Sequence, residues 1–244
     1  MTTSDYHDPS RKGGSIQTFS GIIFFPLDPR VEEVELIDVA HALSNKARFT
    51  GHTRKLYTTC EHSLRVSMHL ESQGASLMDQ YIGLHHDDSD AYLPDVPTPI
   101  KYLPEFAWFR EIEKKVEAVC YEKFGCVVTD YSVIKNSDII LLLTEKRDLM
   151  PKRNGDWKHA YTQVAIPEPY FIEPLTPEEA EILYLDRHYR LLSELNKHPE
   201  TAATKTFVDP DTDYTFEGSR YYKVDPGLRV NRTSEEEIDS LPSR

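Results

Sequence analysis

The 244-residue sequence predicts an all-α protein with an N-terminal extension and a C-terminal arm. Three observations lead there. Apolar residues recur at helical spacing in successive stretches between residues 31 and 196. Helix signals punctuate those stretches: Gly74, Gly125 and Pro151 close them, and Thr176-Pro-Glu-Glu opens the last with a capping box. No internal repeat and no glycine-rich phosphate loop interrupts the pattern.

The opening "MTTSDYHDPSRKGGS" is polar and is expected to be mobile, forming a segment over residues 1–19. "SGIIFFPLDP" (20–29) gathers apolar and aromatic residues before two prolines and reads as an extended stretch laid on the body. From Val31 to Ala47, Val31, Val34, Leu36 or Ile37, Val39, Ala42 and Leu43 mark a helix. "CEHSLRVSMHLESQG" predicts a second through Leu64, Met68 and Leu70, ending at Gly74. "SLMDQYIGLHHDDSDAYL" predicts a third, burying Ile82 and Leu84 and carrying its acids towards the C-terminal end.

Prolines at 94, 97, 99 and 104 then enforce a loop. Residues 105–125 form a long amphipathic helix closed by Gly125, and 130–150 form the most apolar one. The capped helix at Thr176 runs to about Asn196, which gives a body over 20–198. Residues 199–244 are polar and rich in turn formers, an arm or tail with Tyr221 and Tyr222 available for packing.

Composition limits the function classes. No stretch approaches the roughly 20 apolar residues of a membrane span, and the polar start lacks the apolar centre of a secretory signal, so a cytoplasmic protein is expected. Cys60, Cys120 and Cys126 form no CxxC pair and suggest neither a disulfide framework nor a thiolate zinc site. With 41 acids against 28 bases, the formal charge of −13 repels duplex nucleic acid.

Within that acidic chain, "LHHDDSDAYLPDVPTPIK" (84–101) crowds two histidines and four aspartates into twelve positions. Carboxylates so close repel one another and oppose the dipole of a helix C-terminus, unless they are fully exposed or a cation sits among them. Two other segments bring metal-ligand chemistry, Glu61-His62 and the isolated Asp138 in an apolar helix, where an unpaired charge is costly to bury. Singly, His62 also fits a core histidine, Asp138 a turn cap and the aspartates a solvated surface.

"EHS", then "HHDDSDAYLPDVPTPIKY", then one Asp on a following apolar helix resemble the HD-domain phosphohydrolases. The pattern is closest to the 5′-deoxynucleotidase branch and to phage dATP triphosphohydrolases, which "HALSNKARFTGHTRKLYTTCEHS" is also similar to. The resemblance covers about residues 18–150. It implies an HD-domain hydrolase body in which His62, His86, Asp87 and Asp138 hold one divalent cation (Co, Mn, Zn or Mg). Asp90 and Asp95 match acidic positions near the attacking water. The family pattern has Glu at the first of these, so Asp88 or Asp95 could replace Asp90 as the water-orienting base. Arg48 matches a phosphate- or sugar-binding arginine and Phe49 a base-stacking aromatic; Lys101, Arg54 or Lys55 could reach a phosphate. His52, His69 and His85 are read as structural or as groups that support the ligands from behind.

The implied reaction is release of deoxyadenosine and triphosphate from dATP by a homo-oligomer, dimer or hexamer, in a host cytoplasm if the chain is phage-encoded. A 5′-deoxynucleotidase acting on monophosphates is the alternative. Two-iron oxygenases of the same fold need further histidines, and residues 88–137 contain none. A non-enzymatic reading is an HD-fold adaptor that binds a partner through its C-terminal arm.

Overall fold

The structure is a computed structural model and describes residues 8–151 and 162–198. The expected arm over 199–244, with Tyr221 and Tyr222, lies outside the described residues, as do residues 1–7. Seven α-helices dominate the described residues, as the periodicity requires: α1 (Leu36–Ser44), α2 (Thr59–Ser72), α3 (Leu77–His85), α4 (Thr98–Lys101), α5 (Ala107–Phe124), α6 (Tyr131–Leu149) and α7 (Pro177–Lys197). The fold is all-α apart from one small antiparallel hairpin, β1 (Ile16–Gln17) with β2 (Ile23–Phe24), pairing Ile16 with Phe24 and Gln17 with Ile23. Among the described residues, no helix is long and apolar enough to cross a membrane.

The core is built on α2, which packs against α3, α6 and α7, while α7 also lies against α1 and α3. Ala180, Tyr184, Arg187, His188, Leu191 and Leu195 of α7 are all buried, a stripe at helical spacing on its inner face. α7 starts as expected: the Thr176 hydroxyl accepts from the Glu179 amide, and the Glu179 carboxylate accepts from the Thr176 amide. α5 buries Phe109, Val116, Cys120 and Phe124, and Gly125 closes it at φ 68°, a left-handed conformation that glycine adopts without Cβ strain. α6 starts at the Asp130 cap and buries polar Ser137, Thr144, Glu145 and Asp148 beside its apolar residues.

Several expectations need correction. The helix expected from Val31 to Ala47 is two elements: a 3-10 turn at Val31–Glu33, then extended backbone at Val34 and Glu35 before α1. That break lets Val34 point into the core, where it is fully buried. The proline-rich segment is not simply a loop. It contains α4 and a 3-10 turn at Pro104–Phe106, because Pro99 and Pro104 occupy first-turn positions that need no amide hydrogen. Met68, read as an inward position of α2, is 42% exposed.

Two sets of contacts join the N-terminal segment and the stretch after it to the body. Arg11 lies over the Phe25 ring and pairs with Asp28 and Glu33, while buried Asp38 accepts from the amide and hydroxyl of Ser20 at 2.6 and 2.8 Å.

Gly83 sets the approach of α3 to α2. A Cβ there would stand 2.3 Å from Leu70 Cδ1 and 3.4 Å from Val66 Cγ1. Leu70 is itself 1% exposed and has little room to give way. Gly83→Ala is expected to destabilise the fold by about 1–3 kcal/mol through overpacking. Denaturant unfolding checks this, and an unchanged midpoint would contradict it.

Candidate metal centre

Three places bring the centre together: α2 carries His62, the two residues that follow α3 are His86 and Asp87, and the middle of α6 carries Asp138. α2 is aligned by its Thr58 cap, whose hydroxyl accepts from the Glu61 amide. α3 stops at His85, and Asp87 leaves helical geometry at φ −109° and ψ 14° before a 3-10 turn at Asp88–Ala91. This departs from the continuing helix that the sequence suggested. The turn still keeps Asp90 over Asp87, because its amide donates to the Asp87 carbonyl at 2.9 Å and residues three apart eclipse in a 3-10 turn.

His62, His86 and Asp87 each place one ligand atom within 4.8 Å of the others. Asp138 is not within that set, but it stands beside it, with Oδ1 3.2 Å from His62 Nε2. The tautomers follow from the partners. His62 Nδ1 meets the Glu145 carboxylate at 2.5 Å and His86 Nδ1 meets the Gly83 carbonyl at 2.9 Å, both groups that accept here. Each Nδ1 therefore holds a hydrogen and each Nε2 faces the centre. Both Nε2 atoms are buried without an aligned hydrogen bond, their near neighbours being carboxylate oxygens: Asp138 Oδ1 for His62 and Asp87 Oδ1, at 3.5 Å, for His86. A buried polar atom without a partner is uncommon, and two aimed at one place with two carboxylates suit a divalent cation.

Electrostatics agree with that donor set. Burial works against charge on Asp87 and Asp138, yet their neighbours prevail: His86, His62 and Arg48 lower the Asp87 pKa, and His62, His86 and Lys135 hold that of Asp138 well below the usual range. Burial and Arg48 also oppose the His62 imidazolium, but Glu145 and Asp138 outweigh them and raise its pKa to about 9. A cation must then displace the Nε2 proton, so its affinity should rise as pH increases from 6 towards about 9. Titration calorimetry in buffers of different ionisation enthalpy measures the released proton; a pH-independent affinity would contradict this.

The other expected residues fall into distinct places. Arg48 enters the centre, with Nε 3.2 Å from Glu145 Oε2 and Nη1 3.5 Å from Asp87 Oδ2. Phe49 follows with φ 52° and Thr50 with φ 53°, left-handed values that cost roughly 1–2 kcal/mol per residue. The Arg48 guanidinium carbon lies 5.6 Å from the Phe49 ring centroid. Asp90 is half-buried; desolvation first, then Asp87, pushes its pKa up to about 7. Asp95 is exposed on the following loop, within range of the charges of Asp90 and Lys46. Lys101 pairs with Glu113 at 2.5 Å, and Lys55 lies 3.6 Å from Glu173 on the surface.

Two readings are overturned. Asp88 cannot stand in as the water-orienting base: it is 1% exposed, bound to His85 Nδ1 and the Tyr184 hydroxyl at 2.6 Å each. Glu61, beside His62 in sequence, binds Arg65 and the Leu175 amide instead. Three groups escaped the sequence reading. Glu145 is buried against His62, Arg48 and Tyr57; Lys46 donates to the Asp90 and Leu93 carbonyls; Lys135 holds Asp138 Oδ2 at 2.6 Å. Glu145 had a signal, since seven residues after Asp138 it returns to the same face of α6.

The chain is 32% identical over 183 residues to the uncharacterized protein YfdR of Escherichia coli, an alignment covering 75% of this chain and 97% of the relative. The chain belongs to the YfdR family. An uncharacterized protein of Rhodobacter capsulatus is 24% identical over 183 residues, covering 70% of this chain and 91% of its own length. No protein-family model matches the chain.

Proposed function

We propose that the chain is a divalent-cation-dependent phosphohydrolase of the HD-domain type. In this reading it acts on a deoxynucleotide and releases deoxyadenosine and triphosphate from dATP. The observation that carries the reading is the pair of buried Nε2 atoms of His62 and His86, neither in an aligned hydrogen bond, set beside the carboxylates of Asp87 and Asp138 and the guanidinium of Arg48. A cation bound by those four ligands would supply positive charge for phosphoryl oxygens and acidify a water, as hydrolysis of a phosphate ester requires.

The protein's own groups have separable tasks. Arg48 spends Nε on Glu145 and Nη1 on Asp87, and Nη2 has no partner among the described residues, leaving it for an anionic oxygen. Asp90, with its pKa near neutrality, orients the attacking water and takes its proton. The water oxygen forms a bond to the α-phosphorus, the bond from that phosphorus to O5′ breaks, and O5′ leaves with the electron pair and a proton. Lys135 fixes the outer oxygen of Asp138, so that the inner one stays directed at His62.

Incubation with deoxynucleoside mono-, di- and triphosphates under Co, Mn, Zn and Mg, with both products identified, tests the reading. Deoxyadenosine plus triphosphate from dATP is expected. Inorganic phosphate from a monophosphate would assign the chain to the 5′-deoxynucleotidases, and nucleoside from no substrate would remove the proposal. Arg48→Ala should raise KM about 10- to 100-fold, as losing a charge-assisted hydrogen bond does, with cation content unchanged. Loss of the cation in that variant would make Arg48 structural instead.

A further inference from the structure

Glu145 is fully buried two helical turns beyond Asp138, and its two oxygens serve three groups from elsewhere in the chain. Oε1 accepts from His62 Nδ1 at 2.5 Å and from the Tyr57 hydroxyl at 2.9 Å, while Oε2 accepts from Arg48 Nε at 3.2 Å. One carboxylate thus holds both His62, whose Nε2 faces the centre, and Arg48, which reaches Asp87.

We propose that Glu145 is a shared positioning residue, binding His62 and Arg48 into one unit so that cation affinity and phosphate affinity depend on the same carboxylate. The inference rests on the phosphohydrolase reading. The geometry supplies its reasons. By accepting at Nδ1, Glu145 keeps the His62 ring turned with Nε2 towards the centre, the role an outer carboxylate plays for a metal-bound histidine. By accepting from Nε, it orients the guanidinium plane and leaves Nη1 directed at Asp87. Tyr57 adds a third bond and is itself 0% exposed, so the carboxylate cannot turn to solvent and serve one client at the expense of the other.

Glu145→Gln keeps the shape but cannot accept at both ends. If its oxygen stays on His62, its amide meets the Arg48 Nε donor; if it flips, His62 loses its acceptor. The test uses the full chain, with Co2+ binding by calorimetry and inorganic phosphate binding to the Co2+-loaded protein from the cobalt absorption bands. Glu145→Gln should weaken Co2+ roughly 10- to 100-fold and weaken phosphate as far as Arg48→Ala does. The Arg48→Ala/Glu145→Gln protein should bind phosphate no more weakly than Arg48→Ala alone. Should Glu145→Gln fail to fold, Tyr57→Phe is the deciding variant, expected to weaken Co2+ and phosphate together by a smaller factor. Wild-type Co2+ affinity in Glu145→Gln, additive phosphate losses in the double variant, or, as the deciding variant, a Tyr57→Phe protein unchanged in both, would overturn the proposal alone. A wild-type protein that binds no Co2+ would instead bring down the phosphohydrolase reading and the proposal with it.

Discussion

Asp87→Asn is expected to strip the centre of its cation and to remove turnover with it. Asp87 stands between the two histidines, with Oδ2 3.8 Å from His62 Nε2 and Oδ1 3.5 Å from His86 Nε2. Asparagine preserves the shape but removes one of two negative charges that compensate a divalent ion. Losing an outer partner of a metal ligand costs about 10- to 100-fold in affinity, and losing a charged ligand should exceed that. Arg48 adds to the effect, because the charge that Asp87 offers its Nη1 disappears as well. Elemental analysis of the purified variant checks this directly. Full cation content with normal turnover would exclude Asp87 as a ligand.

Asp90→Asn should behave in the opposite way, leaving the cation bound while slowing hydrolysis. Asp90 lies in the 3-10 turn that Asp87 precedes, yet its burial and the neighbouring Asp87 and Asp95 charges raise its pKa to about 7 against the pull of Lys46. Removing a general base costs about 100- to 10,000-fold in rate. Cation titration and turnover measured on the same preparation separate ligand from base. Near-normal turnover would transfer the role to Asp95, since Asp88 is enclosed by His85 and Tyr184.

How far these residues could be found from sequence depended on whether their signals were local. The capping box at Thr176, the closing Gly125 and the Asp130 start place α7, α5 and α6 because each acts within one helical turn. The break at Val34 and Glu35 carries no such signal; it exists because Val34 is buried by residues distant in sequence. Arg11 likewise looks like part of a loose polar start, and only folding brings Asp28 and Glu33 to it from 17 and 22 residues away.

The same distinction runs through the centre. Asp138 could be singled out because a lone carboxylate among Ile and Leu is costly without a partner, and His62 is that partner. Glu145 shares the face of Asp138, but it sits in the charged stretch "TEKRDLM", and only folding brings His62 and Arg48 to its fully buried side chain. Lys46 was similarly hidden, because its clients are the backbone carbonyls of Asp90 and Leu93, which no residue type announces.

Anomalous scattering from crystals of the full chain grown with Mn2+ tests the central claim most directly. The expected result is one strong peak at coordination distance from His62 Nε2, His86 Nε2 and the carboxylates of Asp87 and Asp138, absent from crystals of Asp87→Asn. A peak elsewhere, or none between those two nitrogens at saturating Mn2+, would contradict the account.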